Sequence, residues 1–73
     1  MTEDLIDAAE AARLTGISVH GLVLRRQRDR KAGRPLGGVI SPPYRKVGVA
    51  VLHDRQAVIE WADQYLVNRV RGQ

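Results

Sequence analysis

Apolar residues recur at helical spacing in the last third of the chain, at positions 58, 59, 61, 62, 65 and 66. Intervals of three and four residues are typical of an α-helix that buries one face. Asp54 stands before this run, and its carboxylate is a good acceptor for the free amides of a first helical turn. The pattern predicts a helix from Arg55 to about Asn68, with Trp61 and Tyr65 in the core.

A shorter, alanine-rich pattern precedes Gly16. Alanine is the best helix former, and Asp7 followed three residues later by Glu10 indicates a capping box, with Asp7 as the N-cap and the Glu10 side chain reaching back. Glycine favours the left-handed conformation that ends many helices. These signals predict a helix from Ala8 to Thr15 that ends at Gly16.

Ser18 is a good N-cap for a second helix, which we expect from Val19 to about Arg30. A three-residue turn would then join the two helices. Val23 and Leu24 leave two interpretations open, because they are either core residues of a slightly rotated helix or an exposed contact for a protein partner. The predicted core residues of this half are Ala8, Ala11, Ala12, Leu14, Ile17, Val19 and Leu22.

Residues 31–43 contain six glycines and prolines, which predicts a loop. We expect this loop to remain mobile until a ligand binds it. Short strand-like runs on either side of Gly48 predict a β-hairpin with its tip at or near that glycine. Leu5 and Ile6 form either a brief strand or a hydrophobic staple.

The order of elements predicts an α+β fold in one domain spanning residues 1–73, with frayed ends at 1–4 and 67–73. A chain of this length buries only about 60% of the surface that its unfolded form exposes, so a catalytic cleft has little room. The sequence has no cysteine, no spaced metal-ligand set, and no grouping of nucleophile, base and orienting residue. We therefore expect no enzymatic activity, no cofactor and no metal. The acidic start and the lack of a long apolar run predict a cytoplasmic protein without a membrane segment.

Positive charge is concentrated in the middle of the chain. Residues 25–46 hold eight basic side chains and one acid, Asp29, whereas the whole chain has a net charge of +4. Such a distribution suits a polyanion. A helix-turn-helix places its second helix in the major groove of DNA, and a hairpin that follows can contact the adjacent backbone. The candidate DNA-binding residues are Ser18, His20, Arg25, Arg26, Arg28, Arg34, Arg45 and Lys46.

Several of these residues have a structural interpretation beside the functional one. Arg25, Arg26 and Arg28 span a full helical turn, so we expect two of them to contact DNA and the third to be solvated or paired with Asp29. Ser18 is first an N-cap, and His20 is either a base or phosphate contact or merely exposed. We expect the following residues to be structural: Tyr44 as a hydrophobic cover for the hairpin, and His53 as a satisfied strand residue.

Three segments carry a resemblance to a known family. They are residues 8–18 (AAEAARLTGIS), residues 42–48 (PPYRKVG) and residues 51–61 (VLHDRQAVIEW). In this order and spacing the chain resembles the small winged-helix phage excisionases, also called recombination directionality factors, and the DNA-binding domains of mercury-resistance-type regulators. The resemblance spans about residues 5–66. In the second helix Val19, Gly21, Val23 and Leu24 stand where that family usually has polar residues.

The resemblance implies a winged helix-turn-helix that binds double-stranded DNA in a bacterial host, in association with the nucleoid. It implies a protein that binds adjacent sites, bends the DNA, contacts an integrase and favours prophage excision. Val23 and Leu24 would then contact the integrase or another copy of the chain. A prophage-type transcriptional regulator has the same fold, and a protein-interaction module whose basic loop binds an acidic partner is a third possibility.

Overall fold

Residues 4–67 are described by the computed structural model, and they form three helices and a three-stranded antiparallel sheet. The α+β prediction is therefore confirmed. The strands lie in the order β1-β3-β2. The elements are β1 Leu5–Ile6, α1 Ala8–Thr15, α2 Val19–Lys31, β2 Arg45–Val47, β3 Ala50–Asp54 and α3 Arg55–Trp61, which continues as a π-helical segment over Ala62–Val67.

Helix α1 begins and ends where the sequence predicts. The Asp7 carboxylate accepts a hydrogen bond from the Glu10 amide at 2.9 Å, and Gly16 adopts a left-handed conformation with φ of 75°. The capping box is only half formed, because both carboxylate oxygens of Glu10 accept from the Arg13 guanidinium. An exposed ion pair thus replaces the reciprocal capping bond.

Helix α2 begins at the predicted N-cap and extends one residue beyond its predicted end. The Ser18 hydroxyl accepts from the Gly21 amide at 2.9 Å. A Cβ at Gly21 would lie 2.9 Å from the Ile17 side chain, so the turn packs closely against the helix at this glycine. Leu22 is fully buried as expected, but the prediction for Val19 was wrong, since its side chain is 43% exposed.

The sheet joins the start of the described chain to the hairpin. Leu5 and Ile6 form a strand rather than a staple, with Ile6 paired to His53 on β3. The predicted hairpin is confirmed: Val47 pairs with Ala50 across a two-residue turn that begins at Gly48, whose φ is 63°. A positive φ is what a tight hairpin turn of this length requires. The frayed ends predicted at 1–4 and 67–73 lie outside the described residues, apart from positions 4 and 67.

The core lies between the helices and the sheet. Trp61 is 3% exposed, as predicted, and its indole N–H donates to the Val39 carbonyl at 2.9 Å. Tyr65 packs beside Trp61 with ring centroids 6.0 Å apart, but it is only half-buried, so its assignment to the core was too strong. The buried apolar residues are Ala11, Leu22, Tyr44, Val58 and Trp61.

The loop from 31 to 43 is folded around a buried carboxylate, contrary to the expectation that it stays mobile until a ligand binds. Asp29 on α2 is fully buried, and its Oδ2 accepts from the amide of Ser41 at 2.8 Å and from the hydroxyl of Ser41 at 3.2 Å. Oδ1 accepts from Arg34 Nε at 2.5 Å. The Val39 amide lies 3.4 Å from Oδ2 and completes the set.

The carbonyls of the same loop are bound by side chains from the surrounding elements. Because a buried carbonyl without a partner is costly, these bonds fix the path of a segment that has no helix or strand of its own. They are the bonds from Tyr44 to the Pro35 carbonyl at 2.6 Å, from Trp61 to that of Val39, from Arg25 to that of Ile40 at 2.9 Å, and from His53 Nδ1 to that of Pro43 at 2.9 Å.

Replacing the buried carboxylate should loosen this loop. Burial by itself raises the pKa of Asp29, but the hydrogen bonds from Ser41, Arg34 and the neighbouring loop amides outweigh it and lower this pKa to about 2. The ionised group therefore stabilises the fold above its unfolded pKa of about 3.9, and that stability is lost as the pH falls towards about 2. We expect Asp29→Asn to reduce the free energy of unfolding by about 2 kcal/mol at neutral pH.

Urea denaturation at neutral and acidic pH measures this effect. The control is Asp63→Asn, which removes an exposed acid of the π-helical segment and should change stability by less than about 0.5 kcal/mol. The Asp29→Asn variant should also lose stability less steeply than the wild type as the pH falls below about 4. Equal stability of the wild type and Asp29→Asn would contradict the anchoring role of Asp29.

Candidate nucleic-acid interface

The inner face of α2 carries charge as well as apolar surface. Positions 22, 25, 26 and 29 share one face, because residues three and four apart are neighbours on a helix. Leu22 and Asp29 on this face are fully buried, and Arg25 and Arg26 are half-buried. Two of the three arginines predicted as DNA contacts on α2 are therefore turned towards the protein.

Arg25 and Arg26, two of the predicted DNA contacts, each have a partner inside the molecule. Arg25 Nη1 donates to the Ile40 carbonyl at 2.9 Å and so holds the loop against α2. The Arg26 guanidinium carbon lies 5.5 Å from the centroid of the Tyr44 ring. A cation at this distance from an aromatic face is attracted to the ring, and the contact ties α2 to the residue that precedes β2.

Arg34 also has its partner inside the molecule. Its Nε donates to the buried Asp29 carboxylate, and its side chain keeps 37% of its exposure. Asp29 is thus paired with the loop arginine. Of the two alternatives for the third arginine of α2, solvation or a pair with Asp29, the second is not found among the described residues. The pairing follows from the loop's return across α2, which brings Arg34 to a carboxylate that is buried on the inner face.

The opposite face of α2 is open to solvent. His20, Leu24, Gln27 and Lys31 follow one another at intervals of four, three and four, so they form one stripe, and Arg28 lies beside it. All five side chains are exposed, Leu24 to 42%. Within the described part of the chain, no side-chain hydrogen bond or ion pair engages His20, Gln27, Arg28 or Lys31. We call these five residues the outer face of α2.

Gln27 and Lys31 were missed as candidates from the sequence. Their position on the helix, rather than their chemistry, could have identified them, since both lie on the side of α2 opposite Leu22. The plain interpretation of Arg28, Arg30 and Lys31 is that positive charge in a last helical turn stabilises the helix. That stabilisation leaves their charged groups exposed and accessible to a ligand. Leu24 lies with them, whereas Val23 is half-buried, so the two apolar neighbours occupy different environments.

The hairpin presents a second exposed surface. All three residues of β2 are exposed, including Arg45 and Lys46, and Val47 is 53% exposed. Val49 in the turn is fully exposed. The base of the hairpin is buried instead, where Tyr44 is 6% exposed and its ring centroid lies 6.3 Å from that of His53. Tyr44 is therefore the hydrophobic cover that the sequence predicts.

His53 lies on a strand as predicted, but it is fully buried and only half satisfied. Its Nδ1 lies 2.9 Å from the Pro43 carbonyl oxygen, whereas its Nε2 is buried and has no hydrogen-bond partner among the described residues. Burial lowers the pKa of His53, the bond to the Pro43 carbonyl opposes this, and the nearby Arg26 charge lowers the pKa further. Folding therefore favours the neutral imidazole.

An open groove of about 550 Å³ lies between α3 and the segment that leads into β2. Its polar groups are already engaged, because the Asp54 carboxylate accepts from the Ala57 amide at 3.1 Å and Gln56 donates to Glu60 at 3.3 Å. Among residues 4–67, no group of three potential metal ligands comes together, and no helix is long and apolar enough to cross a membrane.

The division of α2 into two faces predicts different effects for two arginines that are three residues apart. Arg25→Met leaves the Ile40 carbonyl without its partner, which should reduce the free energy of unfolding by about 1–3 kcal/mol. Arg28→Met removes an exposed charge and should change it by less than about 0.5 kcal/mol. Urea denaturation of both variants compares the two effects directly. Equal losses would mean that both arginines contribute to the fold to the same extent.

Comparisons with protein families, with curated proteins and with solved structures found no match to this chain.

Proposed function

We propose that this protein binds double-stranded DNA without catalysing a reaction, with the outer face of α2 in the major groove and the β2–β3 hairpin against the adjacent backbone. One observation carries the proposal. The single acid among residues 25–46, Asp29, is buried and paired with Arg34. The exposed side chains of this segment are therefore positive or neutral, and no carboxylate among them would repel a phosphate.

The cations that face solvent suit contacts with the phosphate backbone. Arg28, Arg30 and Lys31 extend from the last turn of α2, and Lys46 lies on β2. Lysine and arginine are among the side chains that bind phosphate oxygens in DNA complexes, and these contacts position a protein without reading sequence. Arg25, Arg26 and Arg34 do not belong to this set, since their guanidinium groups hold the loop and the base of the hairpin.

The middle of the outer face suits the recognition of A·T base pairs. Glutamine can bind adenine through N6 and N7, and an apolar side chain packs on the methyl group of thymine. Gln27 and Leu24 are three residues apart on the same stripe, so they would meet neighbouring base pairs. His20 lies at the start of the stripe, and Ser18 is exposed beside it while its hydroxyl caps α2.

For the biological role, we propose an accessory factor of site-specific recombination that binds and bends attachment-site DNA and contacts an integrase. The support for this role is the resemblance to phage excisionases. The small size and the basic charge of the protein also suit binding in several copies. Transcriptional regulation of a prophage promoter is the alternative, since one fold serves both functions. An in vitro recombination assay separates the two roles. It uses the integrase encoded by a neighbouring gene and compares recombination with and without this protein.

The hairpin contact predicts a change in the salt dependence of binding. Removing both charges in Arg45→Ala/Lys46→Ala should weaken binding to every duplex, and the log–log salt slope should fall in size by about 0.9 for each phosphate that the variant no longer neutralises. The measurement is a titration of labelled duplex at several sodium chloride concentrations. Arg13→Gln is the control, because it removes a charge from α1 and should leave the slope unchanged.

An unchanged slope in the double variant would contradict the hairpin contact. Binding of the wild type that does not depend on salt would contradict the DNA proposal itself. It would favour the interaction module with an acidic partner, which an acidic peptide added as a competitor would then detect.

The Leu24 contact predicts that the protein distinguishes thymine from uracil. After the preferred duplex is selected from a random pool, replacing its thymines one at a time by deoxyuridine removes single methyl groups. At the thymine under Leu24 the loss should be about 0.8 kcal/mol, roughly fourfold in affinity. Leu24→Ala should lose this discrimination, whereas Val19→Ala, which shortens an apolar residue off the stripe, should keep it. Equal affinities for all the duplexes would contradict the contact.

A further inference from the structure

A buried polar junction joins α2 to the base of the hairpin. It consists of Arg26 on α2, Tyr44 before β2 and His53 on β3. The Arg26 guanidinium lies over the Tyr44 ring, and the Tyr44 and His53 rings are neighbours. Two atoms of the junction, Arg26 Nη1 and His53 Nε2, are buried without a hydrogen-bond partner among the described residues.

These two atoms are chemically complementary. A guanidinium N–H is always a donor. The neutral imidazole that donates from Nδ1 to the Pro43 carbonyl leaves Nε2 as an acceptor. An unmade bond between buried groups costs free energy, whereas a donor and an acceptor that meet recover it. The structure shows no bond between them, and the contact of each group with Tyr44 is what joins α2 to the hairpin.

We propose that Arg26 is a positioning residue for DNA binding: through its contact with the Tyr44 ring, which neighbours a neutral His53, it sets the hairpin against α2, and protonation of His53 uncouples the two elements. This inference rests on the proposed function, because α2 and the hairpin are the two surfaces proposed to contact one duplex. Arg26 itself does not touch the DNA in this arrangement.

Protonation would make the junction unfavourable. Nε2 would become a second buried donor without an acceptor in the described part of the chain, and a positive charge would be added to a site that already lies in the field of Arg26. Arg26 is the charged group whose field acts on His53 among the described residues, and the other titratable group in contact is the Tyr44 phenol, which donates to the Pro35 carbonyl. The charged groups on the remaining packed elements are Asp4 and Asp7 beside β1, Glu10 and Arg13 on α1, Arg45 and Lys46 on β2, Asp54 on β3, and Arg55 and Glu60 on α3.

The sign of the pH effect follows from the pKa of His53, which folding lowers. The stability contributed by the neutral imidazole is complete above its unfolded pKa of about 6.5 and is lost as the pH falls below that value towards the folded pKa. DNA affinity should decline over the same range if the junction positions the hairpin. The other histidine, His20, is exposed on the surface proposed to contact DNA, so it is replaced in the parent protein.

The experiment therefore uses the full chain carrying His20→Gln as the parent. Its affinity for a mixed-sequence duplex is measured at constant ionic strength from about pH 8 to about pH 5, a range that brackets the ordinary histidine pKa of about 6.5. Arg26→Met is then added to the parent, because methionine keeps an apolar stem over Tyr44 and removes the donor. His53→Asn is added separately, because asparagine can donate to the Pro43 carbonyl and does not titrate.

We expect the parent to bind several-fold more weakly at the acidic end of this range. Arg26→Met should bind more weakly than the parent at neutral pH, and its affinity should depend less on pH. His53→Asn, where it folds, should show no loss on acidification. Nitrogen NMR of the wild-type imidazole should find Nδ1 protonated at neutral pH, and the Nε2 resonance should shift in Arg26→Met.

A pH profile in Arg26→Met that matches the parent's would overturn the proposal, as would an imidazole protonated on Nε2 at neutral pH. If the wild type does not bind the duplex, the proposed function fails, and the junction is tested by thermal unfolding alone. In that case the wild type should lose stability below about pH 6.5, and His53→Asn should not. Equal losses of stability in the wild type and in His53→Asn would overturn the proposed role of the junction, whether or not the protein binds DNA.

Discussion

The arrangement of this small domain depends on the hydrogen bonds that the Asp29 carboxylate accepts from the loop. The carboxylate lies on the buried face of α2 and binds groups contributed by residues 34, 39 and 41. A charge taken out of water is tolerated only when such partners surround it. The bonds turn a segment rich in glycine and proline into a fixed connection, and that connection delivers Tyr44 to the core at the start of the hairpin.

The loop contacts also divide the basic residues into two groups with different roles. Arg25, Arg26 and Arg34 are drawn inwards by a carbonyl, an aromatic ring and a carboxylate, whereas Arg28, Lys31 and Lys46 keep their charges in solvent. The number of positive residues in the sequence therefore overstates the charge available to a partner. The same count hides an opposite effect. The one acid among these residues, Asp29, is buried and so does not offset the exposed positive charge.

Local chemistry was enough to predict most element boundaries. Asp7, Ser18 and Asp54 are caps whose side chains bind amides three residues later, and such bonds depend only on nearby residues. The burial of Asp29 and the inward arginines were missed because their partners lie in a loop with no periodic signal. The spacing of positions 22, 25, 26 and 29 held a clue, since a single leucine fixes which side of α2 faces inwards.

The four loop carbonyls bound by Arg25, Tyr44, His53 and Trp61 have a consequence for folding. The donors come from α2, from the residue before β2, from β3 and from α3, so the loop acquires its bonds only when these elements have assembled. It cannot open locally without exposing donors on several of them at once. Its protected amides should therefore exchange with solvent through the same cooperative event that unfolds the helices, rather than by the fraying usual for a surface connection.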